Sequence, residues 1–426
     1  MKGGVCCAAT LALAALQVGY ADNAFHREGI AVPGWTLGPT AAVKAGGLVY
    51  TMGLTGVNMT TMALAGDDIT AQATQALLNL KDLLKAAGTT VEEVMTCSLQ
   101  IMDLKDFVAM NDVYRQSFPS APPSRVAVAA KALEPSGALF EITCIAAMPG
   151  AGREVVSVPG WPAPQGVPLS MATKVNGIVF ASGMQGINMS AGKMVPGGVQ
   201  AETKQTLENI KQVLEAAGSS LDRVLACEVS LADIADFAAV NAVYRPYFPG
   251  SSGHLGGLPS RVAVMVGGLV GSSKVEIRCE AATSDVTGKA FSVPGWPTTM
   301  PFSSATSAQG IVYAAGVQGY FMKEGRIAPG GAGPEARQAL SNLEEELKIA
   351  GSTLSSTVAC DVTVKDIEQL DAVKAEITAA WPDSPPAISA SVVAGLAGNG
   401  TVEIKCVAAL PPSTVMPGEA AETVVV

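Results

Sequence analysis

The sequence predicts an α+β protein built from three tandem copies of one domain, each a mixed β-sheet with two helices on one face. Three observations carry this. Val-Pro-Gly-Trp recurs at 32–35, 158–161 and 293–296. A β-branched strand ending in glycine follows each time, at 47–53, 177–183 and 310–316. The register between copies is constant: Gly53 to Gly183 and Pro119 to Pro249 are both 130 residues, while Gly183 to Gly316 and Pro249 to Pro382 are both 133. Self-similarity at a fixed period is the mark of a repeated structural unit.

Each element has a local reason. The first strand closes on Gly53, Gly183 or Gly316, where a missing side chain permits close approach. An amphipathic helix follows. Ala73, Leu77, Leu80 and Leu84 form its 3.6-period apolar stripe, matched by Leu207, Ile210 and Leu214, and by Leu340, Leu343 and Leu347. Gly88, Gly218 and Gly351 stand where a C-terminal cap glycine belongs, and Pro334 opens the third copy's helix. A strand comes next, at 94–101, 224–231 and 358–364. A second helix then ends in Phe118-Pro119, Phe248-Pro249 or Trp381-Pro382, and a Pro-rich loop leads to two strands. The predicted order is ββαβαββ. The repeats span 31–150, 157–283 and 292–411, with a leader at 1–30 and a tail at 412–426. Helices on one sheet face leave the other needing cover. The linker of about ten residues from Met148 to Pro159 spans about 30 Å, so a closed three-fold arrangement within one chain, a pseudo-trimer that is itself a monomer, is open geometrically.

Composition bounds the chemistry. Apolar residues make up 49% and charged residues 15%, enough for sizeable cores. The net charge of −10 disfavours nucleic acid and anionic membranes as partners. The apolar run from Val5 to Val18 has the length of a signal-peptide core rather than of a spanning helix. The leader therefore reads as a cleaved secretory or organelle-targeting segment; without it the chain would be cytoplasmic. There are two histidines, His26 near the leader and His254 in a Gly-rich insert of copy 2, read as an exposed loop residue. A Ser-His-Asp triad in each copy is thereby excluded, and no metal site or cofactor is expected. The Gly clusters at 329–334 and 395–400 read as turns. Two of the eight cysteines lie in the leader (Cys6, Cys7), and six fall in pairs on strands: 97/144, 227/279 and 360/406. Buried free thiols are the expectation, with cross-strand disulfides open if the chain is exported.

What remains is an arginine at a loop–strand junction: Arg125 in PPSRVAVAAKAL and Arg261 in LPSRVAVMVGGL, with Ile388 at the same place in copy 3. A guanidinium suits a planar anion because it can bond a carboxylate twice. A structural ion pair is the plainer alternative.

With these stretches in view, the chain resembles the RidA/YjgF family of enamine/imine deaminases, also called endoribonuclease L-PSP domains. The likeness rests on AQATQALLNLKDLLKAAG, DLKDFVAMNDVYRQSFP and PPSRVAV…GALFEITCIAA with their counterparts, and covers nearly all of 32–411. It implies a chorismate-mutase-like fold, trimeric assembly with clefts between neighbours, and cofactor-free hydrolysis of 2-imino acids to 2-keto acids and ammonia. It implies that Arg125 and Arg261 grip the substrate carboxylate, that Gly53 and Gly183 line the cleft, and that Asn111 and Asn241 belong to it; copy 3 has Lys374 at the asparagine position. The acid expected two residues after the first Glu of the last strand is replaced by Thr143, Arg278 and Lys405. The first Glu is kept as Glu141, Glu276 and Glu403, and Glu141 and Glu276 are the candidate catalytic carboxylates, since period two puts both positions on one face. A family tyrosine near the first strand is replaced by Thr40, Ser170 and Ser303.

The expected function is imine deamination in up to two clefts. The alternative is a non-catalytic sensor or scaffold that binds keto or amino acids. An RNA-cleaving role is disfavoured by the acidic chain. Copy 3, lacking arginine and asparagine, is expected to serve mainly for its shape.

Overall fold

The computed structural model describes residues 27–36, 40–162, 164 and 166–411. Most of the expected leader, with Cys6, Cys7 and His26, and the tail at 412–426 lie outside the described residues. No helix among the described residues is long and apolar enough to cross a membrane.

In repeat 1 a hairpin (Ala42–Ala45, Leu48–Thr51) leads to helix Ile69–Ala86, strand Val94–Ile101, helix Phe107–Ser117, strand Ser124–Ala129 and the closing strand Phe140–Ala147. The closing strand lies mid-sheet, antiparallel to Leu48–Thr51 on one side and to Val94–Ile101 on the other; Val94–Ile101 runs parallel to Ser124–Ala129. Repeats 2 and 3 copy this order. Each also has a short edge strand ahead of the predicted boundary: Glu28–Ile30, Glu154–Val156 and Gly288–Phe291. Residues 28–30 therefore belong to repeat 1 rather than to the leader. Three or four residues carry too little alternation to announce a strand; the hairpin beside them supplies the ladder.

The helices follow their sequence signals. Asp68 caps the first, its Oδ1 accepting from the Ala71 amide at 2.9 Å. Gly88 ends it at φ 77°, and the Thr89 amide then reaches back to the Leu84 carbonyl at 2.9 Å. In repeat 3 the helix starts at Ala332, so Pro334 falls within the first turn rather than at its opening. Each apolar stripe packs on its own sheet, giving three separate cores. The opposite sheet faces meet one another: Tyr50, Met95, Phe180, Leu225, Tyr313 and Val358 share a fourth core drawn from all three repeats.

Backbone pairing closes the ring. Gly268–Leu269 of repeat 2 pairs with Val128 and Ala129 of repeat 1, and Gly395–Leu396 of repeat 3 pairs with Val264 and Met265 of repeat 2. Ala132 of repeat 1 bridges to Val392 of repeat 3. The glycine cluster at 395–400 is thus partly an inter-repeat strand and not only a turn, because its partner edge comes from another copy. The insert of copy 2 packs on the linker: buried Leu255 accepts a hydrogen bond from the Ala290 amide at 2.9 Å, while His254 is exposed.

The six strand cysteines are disulfide-bonded as Cys97–Cys144, Cys227–Cys279 and Cys360–Cys406. This corrects the expectation of free thiols. Each pair stands directly opposite across two antiparallel strands, with Cα atoms 4.2 Å apart, close to the ~4.5 Å of a non-hydrogen-bonded pair. Sequence shows that both residues are apolar-strand positions, but not the register that sets them face to face.

Two outcomes follow. A closed ring predicts a single 43.2 kDa particle by light scattering; an obligate trimer of chains would contradict it. Glu346 occupies the helix position held by Leu83 and Val213 in the other copies, is buried, and leaves Oε2 without a hydrogen bond among the described residues. Glu346→Leu should therefore raise stability by about 1–3 kcal/mol in denaturant unfolding. An unchanged midpoint would mean that the carboxyl makes a bond worth keeping.

Candidate functional site

Each cleft is made by two repeats. The arginine strand of one copy lies against the glycine that ends the first strand of the next: the Gly183 amide donates to the Arg125 carbonyl at 3.0 Å, Gly316 to Arg261 at 3.0 Å, and Gly53 to Ile388 at 3.1 Å. A pseudo-three-fold cycle results, and it decides which residues meet. A Cβ on Gly183 would collide with the Glu276 carboxylate, one on Gly316 with that of Glu403, and one on Gly53 with that of Glu141. The glycine leaves room for the acid to lie beside it.

The groups therefore fall into three sets. Arg125 of repeat 1 faces Gly183 and Glu276 of repeat 2, while Asn111 is buried with its Oδ1 making no hydrogen bond among the described residues. Arg261 and Asn241 of repeat 2 face Gly316 and Glu403 of repeat 3. Ile388 and Lys374 of repeat 3 face Gly53 and Glu141 of repeat 1. The sequence leaves open which copy faces which. Gly53 and Glu141 stand in the cleft that has no arginine, and the acid opposite Arg261 is Glu403. The reason is geometric: the acid and the arginine of one copy point into different clefts, so each cleft draws them from two copies.

Arg125 is 2% exposed and Arg261 3%. Arg125 lies over the rings of Tyr114 (4.9 Å) and Phe107 (5.6 Å). Arg261 lies over those of Tyr244 (4.9 Å), Phe237 (5.6 Å) and Phe302 (5.5 Å). Such contacts orient a guanidinium without neutralising it. Neither makes an ion pair among the described residues. Arg125 leaves Nε and Nη1 without hydrogen bonds, and Arg261 leaves Nε so, while its Nη1 donates to Asn241 Oδ1 at 2.6 Å. A buried cation with idle donors is costly unless an anion completes it. The Arg125 cleft encloses about 270 Å3, with Phe107, Met184, Gln185 and Glu276 also on its walls. That volume fits a small organic acid.

Burial pushes Glu276 up to about 7, against the Gln185 hydrogen bond (2.8 Å) and the nearby Arg125, which pull it down. Burial likewise pushes Glu403 up to about 7, opposed by Gln318 (2.9 Å) and Arg261. Sequence reasoning passed over Glu403 and Gly316 for the Arg261 cleft, and both glutamines. The constant offset could have found Gln185 and Gln318, which occupy one position whose counterpart in copy 1 is Thr55. It also passed over Asn79, Asn209 and Asn342, which interrupt the helices' apolar stripe. Each amide donates to two carbonyls of the segment after the cleft glycine; Asn79, for instance, bonds Val57 at 2.7 Å and Thr55 at 3.2 Å.

The positions where an acid was expected, Thr143, Arg278 and Lys405, border the central axis instead. Arg278 pairs with Glu228 at 2.8 Å and donates to Ser98 at 2.8 Å, and Lys405 pairs with Glu228 and, at 3.6 Å, with Asp361. Burial would raise the Glu228 carboxyl, but Arg278 and Lys405 outweigh it and hold it down at about 2. The missing acid is thus replaced by an inter-repeat ion network.

Glu141, too, is pushed up to about 7 by burial. All three cleft acids then bind protons more tightly folded than unfolded. Their favourable contribution is complete below the ordinary value of 4.5 and is lost as pH rises to about 7. Stability should be greater at pH 5.5 than at pH 8, and a Glu141→Gln, Glu276→Gln, Glu403→Gln triple variant should reduce that slope, the rest coming from buried Glu346 and Glu280, which burial also raises. Denaturant midpoints across this range check it; a midpoint rising with pH would contradict the assignment. Glu228 acts oppositely, but only below 4.5.

A sequence profile of the family described as Endoribonuclease L-PSP matches the chain three times, at residues 39–148, 162–283 and 296–410. The mouse protein named 2-iminobutanoate/2-iminopropanoate deaminase is 42% identical over 129 residues, 30% of this chain and 90% of the mouse protein. Arabidopsis thaliana Reactive Intermediate Deaminase A, chloroplastic, is 40% identical over 129 residues, 30% of this chain and 65% of the plant protein. The crystal structure of RidA from an Antarctic Psychrobacter is similar at 32% identity, over 30% of this chain and 98% of that one, with a TM-score of 0.27.

Proposed function

The chain belongs to the Endoribonuclease L-PSP family, and on that premise we propose that it hydrolyses reactive 2-imino acids, drawn from their enamine tautomers, to 2-keto acids and ammonia. The observation that carries this reading is Arg125: a buried guanidinium with idle donors, facing a cleft that a buried carboxyl shares. The Arg261 cleft repeats the arrangement with Glu403. The relatives' names support the same reaction class.

The arginine takes the substrate carboxylate in a bidentate grip and fixes C2 near the acid. Water attacks C2 of the protonated imine, its proton passes to the Glu276 carboxylate, and the C=N π pair moves to nitrogen. The resulting carbinolamine takes a proton from Glu276 on nitrogen. Ammonia leaves with the C–N pair, the hydroxyl proton is released, and C2=O forms. An acid poised near 7 suits both directions of transfer at neutral pH. No cofactor and no nucleic acid enter this scheme, and its partner is a small imino or keto acid. The three buried disulfides fit an oxidising compartment, which favours the leader as a targeting segment.

Imino acids generated in situ by an amino-acid oxidase should release keto acid faster with this protein present. Arg125→Ala with Arg261→Ala should abolish the acceleration, and retained activity would place the site elsewhere. Glu276→Gln with Glu403→Gln should lower kcat about 10²–10⁴-fold with KM little changed. Tight keto-acid binding without any acceleration would favour the sensor reading instead.

A further inference from the structure

The third cleft has been rebuilt, not merely emptied. Four positions set off the other two clefts: Phe107, Asn111, Tyr114 and Arg125, or Phe237, Asn241, Tyr244 and Arg261; in both the two rings lie over the guanidinium, and in the second the asparagine also accepts from it. In repeat 3 all four differ together, as Leu370, Lys374, Ile377 and Ile388. On the facing wall Thr55 stands where the others have glutamine. Loss of the arginine alone would leave an aromatic shelf with nothing to hold. Here the shelf has become aliphatic, and the cleft has a volume of about 710 Å3. Met52, Met59 and Met62 line the repeat 1 side, and flexible thioethers adapt to varied apolar shapes.

The acid was kept while its cation was removed. Glu141 is 5% exposed and accepts from the Ser389 hydroxyl at 2.6 Å, where the other copies have Val126 and Val262. The charges that act on it, Asp361 and Glu134, are both negative. Lys374 does not fill the arginine's place; it is paired with Glu134 across the repeat boundary. The pocket is therefore a large, mainly apolar space whose wall carries the buried Glu141 carboxyl and the Lys374–Glu134 ion pair, with no free cation among the described residues.

We propose that the cleft between repeats 3 and 1 is a separate binding site for an apolar organic amine, its ammonium held by Glu141 and its body by Ile388, Leu370, Ile377 and the methionines. A carboxylate is disfavoured, because its charge would meet Glu141 while Lys374 on the same wall is already neutralised by Glu134. The site is independent of the deamination reading, since it shares neither arginine.

Calorimetric titration of the full chain with 4-phenylbutylamine, at pH 8.5 where Glu141 is ionised and the amine still protonated, tests this. One site per chain is expected, about ten- to a hundredfold tighter than for 4-phenylbutan-1-ol, with no displacement by 4-phenylbutanoate. Glu141→Gln should erase the preference for amine over alcohol. Ile388→Arg should abolish amine binding and add one carboxylate site, with thermal melting confirming that each variant folds. The proposal is overturned if the amine fails to bind at millimolar concentration, if the alcohol matches it, if the carboxylate displaces it, or if both variants bind it as the parent does. None of these results bears on keto-acid release at Arg125 and Arg261.

Discussion

One backbone hydrogen bond, made three times, organises this protein: the amide of the glycine ending one repeat's first strand bonds the carbonyl at the head of another repeat's arginine strand. It draws each copy's strand edge against its neighbour. An unpaired strand edge is a liability that must be covered, and here each copy covers the next through this bond and the short ladders at Gly268–Leu269, Gly395–Leu396 and Ala132. The clefts are a consequence of the same contact, because the side chain beside that carbonyl and the acid beside that glycine are forced into one space.

Fusing three copies into one chain frees them to diverge. In a ring of identical subunits every cleft and every axial position must be the same. Here the axis carries Ser98 from repeat 1, Glu228 and Arg278 from repeat 2, and Asp361 and Lys405 from repeat 3, which form one asymmetric network. No single residue pair could satisfy such a network three times over. The same freedom let one cleft lose its arginine cradle while two kept theirs. The third copy thus contributes more than shape, since Gly316 and Glu403 complete the Arg261 cleft.

Much of this was legible in the sequence. Leu77, Leu80 and Leu84 gave the first helix through their spacing, Gly88 its end, and the constant offsets gave three equivalent domains. Arg125 and Arg261 stood out as cations that recur at a loop–strand junction in an apolar stretch. Less legible was anything that depends on register or on a second repeat. The edge strand Glu28–Ile30 is too short to show a period. Asn79 looks like an interruption of an apolar stripe until its amide is seen to tie down Thr55 and Val57.

The sequence by itself determined the α+β repeat, its triplication, the arginines and the one copy without them, because these depend on residue type and on spacing along the chain. Tertiary structure alone decided that Glu276 shares a cleft with Arg125, that Glu403 shares one with Arg261, and that Glu141 faces Ile388. It also decided that Cys97 meets Cys144 and that Arg278 and Lys405 turn to the axis. Each of these is a meeting between residues on different strands or different repeats, and the packing of three sheets around one axis fixes it where linear spacing cannot.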